Sequence, residues 1–308
     1  MPLPFALDHV NLWLLEDGEG WTAVDTGLGW EPVRALWRGL LPAHPLQRVL
    51  VTHCHPDHMG LASWLQREAG ATTWMSPREF ATAEAWHGES PGNAPQDLYA
   101  FFRLHGLEDR RRAALERRGN TYRQGVPELP SQVRGIREGE EILVGEHAWK
   151  VVMGQGHSPE HASLFCEALG ILIAGDMLLP RITTNISAHS VAPREDALGL
   201  YLESLGRLEA LPGDPLVLPS HGLPFRGLRI RVAQLRAHHA RRCDLLQAAC
   251  AQAPRDAASL LPVLFEREIE DPFQTLFAMG ECIAHLVHLE RRGLLGRVEA
   301  GGPVRFVA

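Results

Sequence analysis

The chain lacks the long apolar segment that a membrane-spanning helix requires. None of its apolar runs reaches the roughly 20 residues that are needed to cross a bilayer. Residues 1–5 are not a basic segment leading into an apolar one, so the sequence shows no sign of a secretory signal. We therefore expect a cytoplasmic protein with no membrane partner.

Paired cysteines are also missing. The five cysteines are scattered along the chain, and none belongs to a Cys-x-x-Cys pair. The odd number argues against a disulfide framework, and the spacing argues against a structural zinc held by thiolates.

A strong positive charge is absent as well. The 308 residues carry a net charge of −7, and residues 227–308 combine 11 arginines with 9 acidic residues. Surfaces that bind nucleic acids need a clear positive stripe. Nucleic acid is therefore not expected as a partner; a small-molecule substrate is expected, and a homodimer is left open.

Short apolar runs that alternate with amphipathic stretches predict a layered α/β architecture in the first part of the chain. Residues 10–15 and 21–24 have the pattern of a hairpin, and residues 48–52 that of a buried strand. Residues 30–41 and 60–69 have apolar residues at helical spacing.

Residues 77–135 interrupt this alternation. The segment is rich in arginine, glutamate and aromatic residues, among them Phe80, Trp86 and Tyr122. We predict a helical insertion that packs on the domain; the alternatives are a lid over the substrate or a dimer contact.

Helical patterns dominate the end of the chain. Residues 228–251 form one long helical pattern, and Asp256 and Asp271 stand where N-caps of two more helices are expected. Residues 294–307 then have the pattern of a β-hairpin. Three helices followed by a hairpin is the order of a winged helix. On the long helix, His238 and His239 are assigned to a solvated face.

Four side chains of the kind that bind metals lie within six residues, in the sequence His53-Cys54-His55-Pro56-Asp57-His58. The segment follows a predicted strand and precedes a predicted helix. Alternate side chains of an extended chain face the same side, so His53 and His55 should point the same way. Imidazoles and a carboxylate suit zinc, iron or manganese.

Further polar residues each follow an apolar run that has the pattern of a strand. They are Asp25, His157, Asp176 and His221. Each one alone is a weak signal, because an aspartate or histidine in a loop is usually solvated. Their repeated position after a strand indicates one site at the strand ends. His161, by contrast, is assigned to loop packing or to a hydrogen bond behind the site.

The order Asp25, His53-x-His55-x-Asp57-His58, His157, Asp176, His221 resembles the five motifs of the metallo-β-lactamase superfamily. The resemblance covers about the first 225 residues. It implies an α/β fold in which two sheets lie between helices, a four-layer αββα sandwich with the site at one edge. It also implies a catalytic domain at residues 1–225 and a winged-helix-like domain at residues 226–308.

The same resemblance implies a dinuclear centre. It assigns His53, His55 and His157 to the first metal and Asp57, His58 and His221 to the second, with Asp176 bridging them. Asp25 would hold a ligand histidine or the turn in place, and Asp57 could move a proton. Two zinc ions are expected, with iron or manganese as alternatives.

The loop after Asp176 bears on the substrate. It departs from the glycine-cysteine-glycine-arginine pattern of glyoxalase II and resembles the lactamase-beta-2-like hydrolases, which end in a winged-helix-like domain. Arg181 and Asn185 in this loop are candidate substrate contacts. The resemblance implies a hydrolase that uses a water between two metals, acting on a small ester, thioester or lactone. The alternatives are a lactamase-beta-2-like endoribonuclease or phosphodiesterase, and a nucleic-acid-binding regulator with a vestigial enzyme domain.

Overall fold

A computed structural model describes residues 1–5, 7–117, 119–269, 271–299 and 301–308. The chain folds into two compact units, which we call the sheet unit and the helical unit. The sheet unit comprises Met1–His87, Thr121–Thr184 and Ser204–Val232. The helical unit comprises Gly88–Asn120, Asn185–Glu203 and Ala233–Ala308. The domain boundary expected between residues 225 and 226 stays a prediction.

The first sheet of the sheet unit has five strands in sequence order. They are β1 (Trp13–Asp17), β2 (Gly20–Val24), β3 (Leu46–Leu50), β4 (Thr72–Met75) and β5 (Val133–Gly135). The predicted hairpin is present: β1 and β2 pair antiparallel around a two-residue turn, in which Gly18 takes a φ of 66°. The pairs β2–β3, β3–β4 and β4–β5 are parallel.

The second sheet also has five strands, in the order β10-β9-β8-β7-β6. They are β6 (Glu141–Val144), β7 (His147–Gly154), β8 (His161–Cys166), β9 (Ile171–Gly175) and β10 (Leu216–Pro219). Because β8 is antiparallel to both β7 and β9, and β9 is parallel to β10, the strands β7, β9 and β10 run in the same direction. Their carboxyl ends therefore meet at one edge of the sheet.

One apolar core lies between the two sheets. Val24 and Leu50 of the first sheet pack with Ile142, Val151 and Ile173 of the second. A second core lies between the first sheet and its helices, which include α1 (Glu31–Leu40), α2 (Pro56–Met59) and α3 (Ala62–Ala69). Two more helices of this part are α4 (Pro77–Gly88) and α7 (Thr121–Gly125). The predicted α/β fold, two sheets flanked by helices, is confirmed.

A charged network joins the two sheets. The carboxylate of Asp17 accepts hydrogen bonds from Arg48 Nη2 (2.6 Å), Thr22 Oγ1 (2.6 Å) and the backbone N–H of Gly145 (3.0 Å). Arg48 also donates to the Leu143 carbonyl oxygen on β6 (2.7 Å). Burial alone would raise the pKa of Asp17, but these hydrogen bonds lower it below its usual value.

The helical unit combines the helices at the end of the chain with helices from its middle. Its elements are α5 (Pro95–Leu104), α6 (Asp109–Glu116), α10 (Ala257–Phe265), α11 (Pro272–Arg291), β11 (Gly296–Val298) and β12 (Arg305–Val307), together with most of α8 (Ala197–Glu209) and α9 (Leu228–Gln252). The expected caps are present: Asp256 accepts from Ser259 N, and Asp271 accepts from Gln274 N. The helix order matches the prediction, whereas the winged-helix assignment stays a prediction.

The prediction of a solvated face at His239 is wrong. His239 is fully buried, and its Nδ1 lies 3.1 Å from Nε2 of His285 on α11. Burial lowers the pKa of His239 to about 2. Donor atoms of His239, Glu281 and His285 lie within 4.8 Å of one another, but Glu281 is already paired with Arg242. We interpret the cluster as a buried polar network that joins α9 to α11.

Within the described part of the chain, no helix has both the length and the apolar character that spanning a bilayer requires.

We expect Asp17→Asn to lower the free energy of unfolding by about 3 kcal/mol at pH 7, because Arg48 then loses its charged partner. The folded-state pKa of Asp17 is lowered, so its contribution is present above the unfolded value near pH 4 and is lost as the pH falls through the folded value. The difference from wild type should therefore shrink in acid.

Urea unfolding of the metal-free protein at several pH values measures this effect. Glu146→Gln, which removes an exposed carboxylate from the turn next to Gly145, is the matched control. A difference between Asp17→Asn and wild type that does not change with pH would contradict the prediction.

Candidate metal centre

The first part of the centre follows β3. The chain leaves the strand extended, and His55, with φ −64° and ψ 150°, precedes Pro56 at the start of the short helix α2. Proline suits the first turn of a helix because its missing N–H would have no partner there. This turn places His58 beside His53, with their ring centroids 4.0 Å apart, and Asp57 beside His58. His53 and His58 are fully buried, and His55 and Asp57 are half-buried.

The remaining donors follow three strands of the second sheet. His157 lies in the loop after β7, Asp176 comes directly after β9, and His221 lies two residues after β10. All three side chains are buried. The parallel direction of these strands explains why residues so far apart in the sequence meet at one edge.

One group of donors comprises His53, His55, His157 and Asp176, whose donor atoms all lie within 4.8 Å of one another. His53 Nε2 is 2.9 Å from His55 Nδ1 and 3.2 Å from His157 Nε2. His157 Nε2 is 3.3 Å from Asp176 Oδ2. Nitrogen and oxygen atoms at these separations can share one metal ion.

The other group comprises Asp57, His58 and His221. Asp57 Oδ2 is 3.6 Å from His58 Nε2 and 3.5 Å from His221 Nε2. Asp176 reaches this group too, with Oδ1 at 3.4 Å from His221 Nε2 and Oδ2 at 3.6 Å from His58 Nε2. Its carboxylate therefore lies between the two groups.

The donor set fits divalent metal ions. His58 Nε2 is buried and makes no hydrogen bond, although two carboxylate oxygens lie 3.6 Å away. A cation bound between them would give a partner to the His58 nitrogen and to both carboxylate oxygens. The donors are imidazoles and carboxylates, which suit zinc, iron or manganese.

Protonation in the centre follows from burial and from charge. Burial, reinforced by the neighbouring histidines, lowers the pKa of His53 well below its usual value, so its ring is neutral, as metal binding requires. Burial acts in the same direction on His58, but Asp57, Asp25 and Asp176 outweigh it and raise the pKa of His58 well above the usual value. A metal ion that binds His58 therefore displaces a proton.

Asp25 lies behind His58 and not among the donor groups. Its Oδ2 accepts from His58 Nδ1 (2.7 Å) and from Thr52 Oγ1 (2.9 Å), and its Oδ1 accepts from Thr52 N (2.8 Å). A histidine that donates through Nδ1 presents Nε2 to a metal. Asp25 also adopts a positive φ of 65°, which costs free energy in a residue other than glycine.

His161 supports Asp176 from the side. It is fully buried, and its Nε2 accepts a hydrogen bond from the backbone N–H of Asp176 at 3.1 Å. Burial lowers its pKa to about 3, so the ring is neutral. A side chain at Gly175 would place its Cβ 2.3 Å from His161 Nε2, which explains the glycine next to Asp176.

The two loop residues that the sequence offered as substrate contacts do not belong to either group of donor atoms. Arg181 is exposed. Asn185 belongs to the helical unit, where its Oδ1 accepts from Ser187 Oγ at 2.7 Å. Both assignments stay predictions.

Two residues of the 77–135 segment were missed as site residues by sequence reasoning. The buried carboxylate of Glu79 and the hydroxyl of Tyr122 both bond to Cys54, which lies between His53 and His55. Glu79 lies four residues after the last residue of β4, in the first turn of α4, so it lacks the position directly after a strand that marked the other acidic residues, and no sequence signal identified it. Trp86 packs against Tyr122 at a centroid distance of 5.4 Å, and its ring stacks against that of His55 at 6.0 Å.

Comparison with known proteins agrees with this geometry. The family model described as metallo-beta-lactamase superfamily matches residues 6–221. The chain belongs to the metallo-β-lactamase superfamily. A second model, described as a metallo-beta-lactamase-like C-terminal domain, matches residues 243–308. The resemblance inferred from the motifs is confirmed, and the chain is a hydrolase of this superfamily with a His/Asp metal-binding cluster.

Three similar proteins match nearly the whole length of this chain. The crystal structure of a beta-lactamase domain protein from Burkholderia ambifaria is 44% identical, with a TM-score of 0.91, and the match covers 100% of this chain and 90% of that one. A metallo-beta-lactamase family protein from Thermus thermophilus is 30% identical, with a TM-score of 0.84 and coverage of 100% and 96%. The probable metallo-hydrolase YqjP of Bacillus subtilis is 26% identical over 99% of this chain and 95% of its own length.

We expect Asp25→Asn to weaken metal binding by about 10- to 100-fold, the range typical for partners of a ligand histidine. An amide nitrogen at the Oδ2 position would face His58 Nδ1–H, donor against donor, and would turn the ring away or change its tautomer. Competition with a zinc chelator measures the affinity. Asp244→Asn, at an exposed position of α9, is the control for the lost charge. Equal zinc affinities in the two variants would contradict the role of Asp25.

Proposed function

We propose that this chain hydrolyses a small ester, thioester or lactone with the help of two zinc ions. His53, His55 and His157 would hold one ion, Asp57, His58 and His221 the other, and Asp176 would contact both. One observation carries the proposal. The Asp176 carboxylate reaches both donor groups, with Oδ2 at 3.3 Å from His157 Nε2 and Oδ1 at 3.4 Å from His221 Nε2.

Two divalent cations at such a centre supply hydroxide at neutral pH and polarise the carbonyl group that is attacked. The residues around them set the geometry and the proton path. Asp57 is the most accessible carboxylate among the donors, with 22% of its side chain exposed against 11% for Asp176. Asp57 is therefore the group best placed to transfer a proton to the leaving group.

Two features favour a carbonyl substrate over a phosphodiester of RNA. The chain carries a net charge of −7, which gives no general attraction to a polyanion. Trp86, stacked on His55, offers an apolar surface beside the donors. A thioester is a specific candidate because 158 residues of this chain are 27% identical to an atrochrysone carboxyl ACP thioesterase from Aspergillus aculeatus, a match to 42% of that protein.

We expect Asp57→Ala to lower kcat/KM by about 1000-fold, within the range for the loss of a proton-transferring group. The assay is a panel of thioesters, lactones, simple esters and single-stranded RNA on zinc-loaded protein, with the bound zinc counted in each variant. His147→Ala, at the other end of β7, is the control and should keep wild-type activity.

Near-wild-type activity of Asp57→Ala would refute the role of Asp57. Activity on RNA with none on the carbonyl compounds would refute the substrate class. Removal of zinc with a chelator should abolish turnover, and its return should restore it.

We also propose that the helical end of the chain has a structural or oligomerisation role. Residues 227–308 carry 11 arginines against 9 acidic residues, and α11 has Glu281 and Glu290 on its body. We therefore expect no binding of double-stranded DNA or single-stranded RNA at low salt in fluorescence anisotropy. Micromolar binding that weakens with added salt would overturn this assignment.

A further inference from the structure

The buried carboxylate of Glu79 lies in the first turn of α4, and its side chain is completely shielded from solvent. A buried charge is costly unless it is fully hydrogen-bonded. Glu79 accepts three hydrogen bonds: from Cys54 N (2.9 Å), from Ser158 Oγ (2.7 Å) and from Glu160 N (2.6 Å). All three donors are neutral groups.

Each oxygen of this carboxylate serves a different loop. Oε2 accepts from the peptide N–H of Cys54, the residue between His53 and His55. Oε1 accepts from Ser158 Oγ and Glu160 N, which lie one and three residues after His157. One loop continues from β3 of the first sheet and the other from β7 of the second. Glu79 therefore links the two sheets where the first group of donors meets.

Tyr122 binds the same residue, Cys54, through its carbonyl group. Its hydroxyl donates to the carbonyl oxygen of Cys54 at 2.8 Å. Burial raises the pKa of Tyr122 well above its usual range, so the hydroxyl keeps its proton and remains a donor. Both backbone polar groups of Cys54 are thus fixed by side chains, from α4 and from α7.

We propose that Glu79 is the positioning residue of the metal site formed by His53, His55 and His157, with Tyr122 as its partner. The inference rests on the proposed metal centre but not on the substrate. The 3.2 Å separation of His53 Nε2 and His157 Nε2 joins side chains from the two loops that Glu79 holds. Loops that move independently would lose this preformed separation, and metal binding would have to order them.

A carboxylate at this position cannot be replaced by an amide without loss. The three donors need acceptor lone pairs on both oxygens, whereas glutamine has one oxygen and one NH₂ group. In either orientation of Glu79→Gln, the NH₂ group faces the Cys54 N–H or the Ser158 and Glu160 donors. Glu79→Asp keeps both oxygens but, being one methylene shorter, cannot reach both loops.

The test measures one ion at a time. In a His221→Ala background, which leaves the first site, we expect Glu79→Gln to weaken zinc binding by about 10- to 100-fold, the range for residues that orient ligands. In a His157→Ala background, which leaves the second site, the same change should have little effect. Tyr122→Phe should act in the same direction as Glu79→Gln, by a smaller factor, and the cobalt(II) absorption spectrum of the first site should change in both variants.

Glu84→Gln, at an exposed position on the same helix, is the matched control and should leave the affinity and the spectrum unchanged. Thermal unfolding of each metal-free variant shows whether it is folded. If Glu79→Gln does not fold, the zinc affinity and the cobalt(II) spectrum of Tyr122→Phe test the proposal in its place.

Wild-type affinity and spectrum at the first site in a folded variant would overturn the proposal. An equal loss at both sites would also overturn it, because it would indicate a general structural role. The readouts require no substrate, so a wrong substrate class would leave this result intact, whereas a wild-type protein that binds no zinc would refute both proposals.

Discussion

Buried carboxylates at one edge of the two sheets control the arrangement of the whole site. Asp25 fixes the ring of His58, Glu79 holds the loops of His53 and His157, and Asp176 lies between the two donor groups. A buried carboxylate that loses its partners is expensive, so each one requires its neighbours to be in place. Once the sheets are formed, these hydrogen bonds restrict the candidate metal ligands to few other positions.

The fold and the donor residues could be predicted because their signals are local. A strand followed by a histidine or aspartate is visible within a few residues of sequence, as at Asp176 and His221, and the spacing of His53 to His58 is a motif by itself. Glu79 was not predictable, since it lies 25 residues from Cys54 and 79 from Ser158. A hydrogen bond over such a separation leaves no periodic pattern in the sequence.

Two features of the packing lie beyond the reach of pattern reading. Residues 77–135 were predicted to form one helical insertion, which stays a prediction; within this segment Glu79 and Tyr122 belong to the sheet unit, while Gly88–Asn120 belongs to the helical unit. His239 was assigned to a solvated face, yet it is fully buried. The helix that covers His239 is α11, which begins 33 positions later in the chain. The contact between them becomes visible only in the folded structure.

The two sheets are joined by polar networks at both ends, with apolar residues between them. Asp17 and Arg48 connect β1 and β3 to the turn after β6, at the end of the strands opposite the donors, and Glu79 connects the loops at the donor end. Apolar packing resists separation of the sheets but tolerates small sliding, because it has no direction. Hydrogen bonds at both ends fix the register, and a centre that draws its donors from both sheets needs that register to bind a metal with little rearrangement.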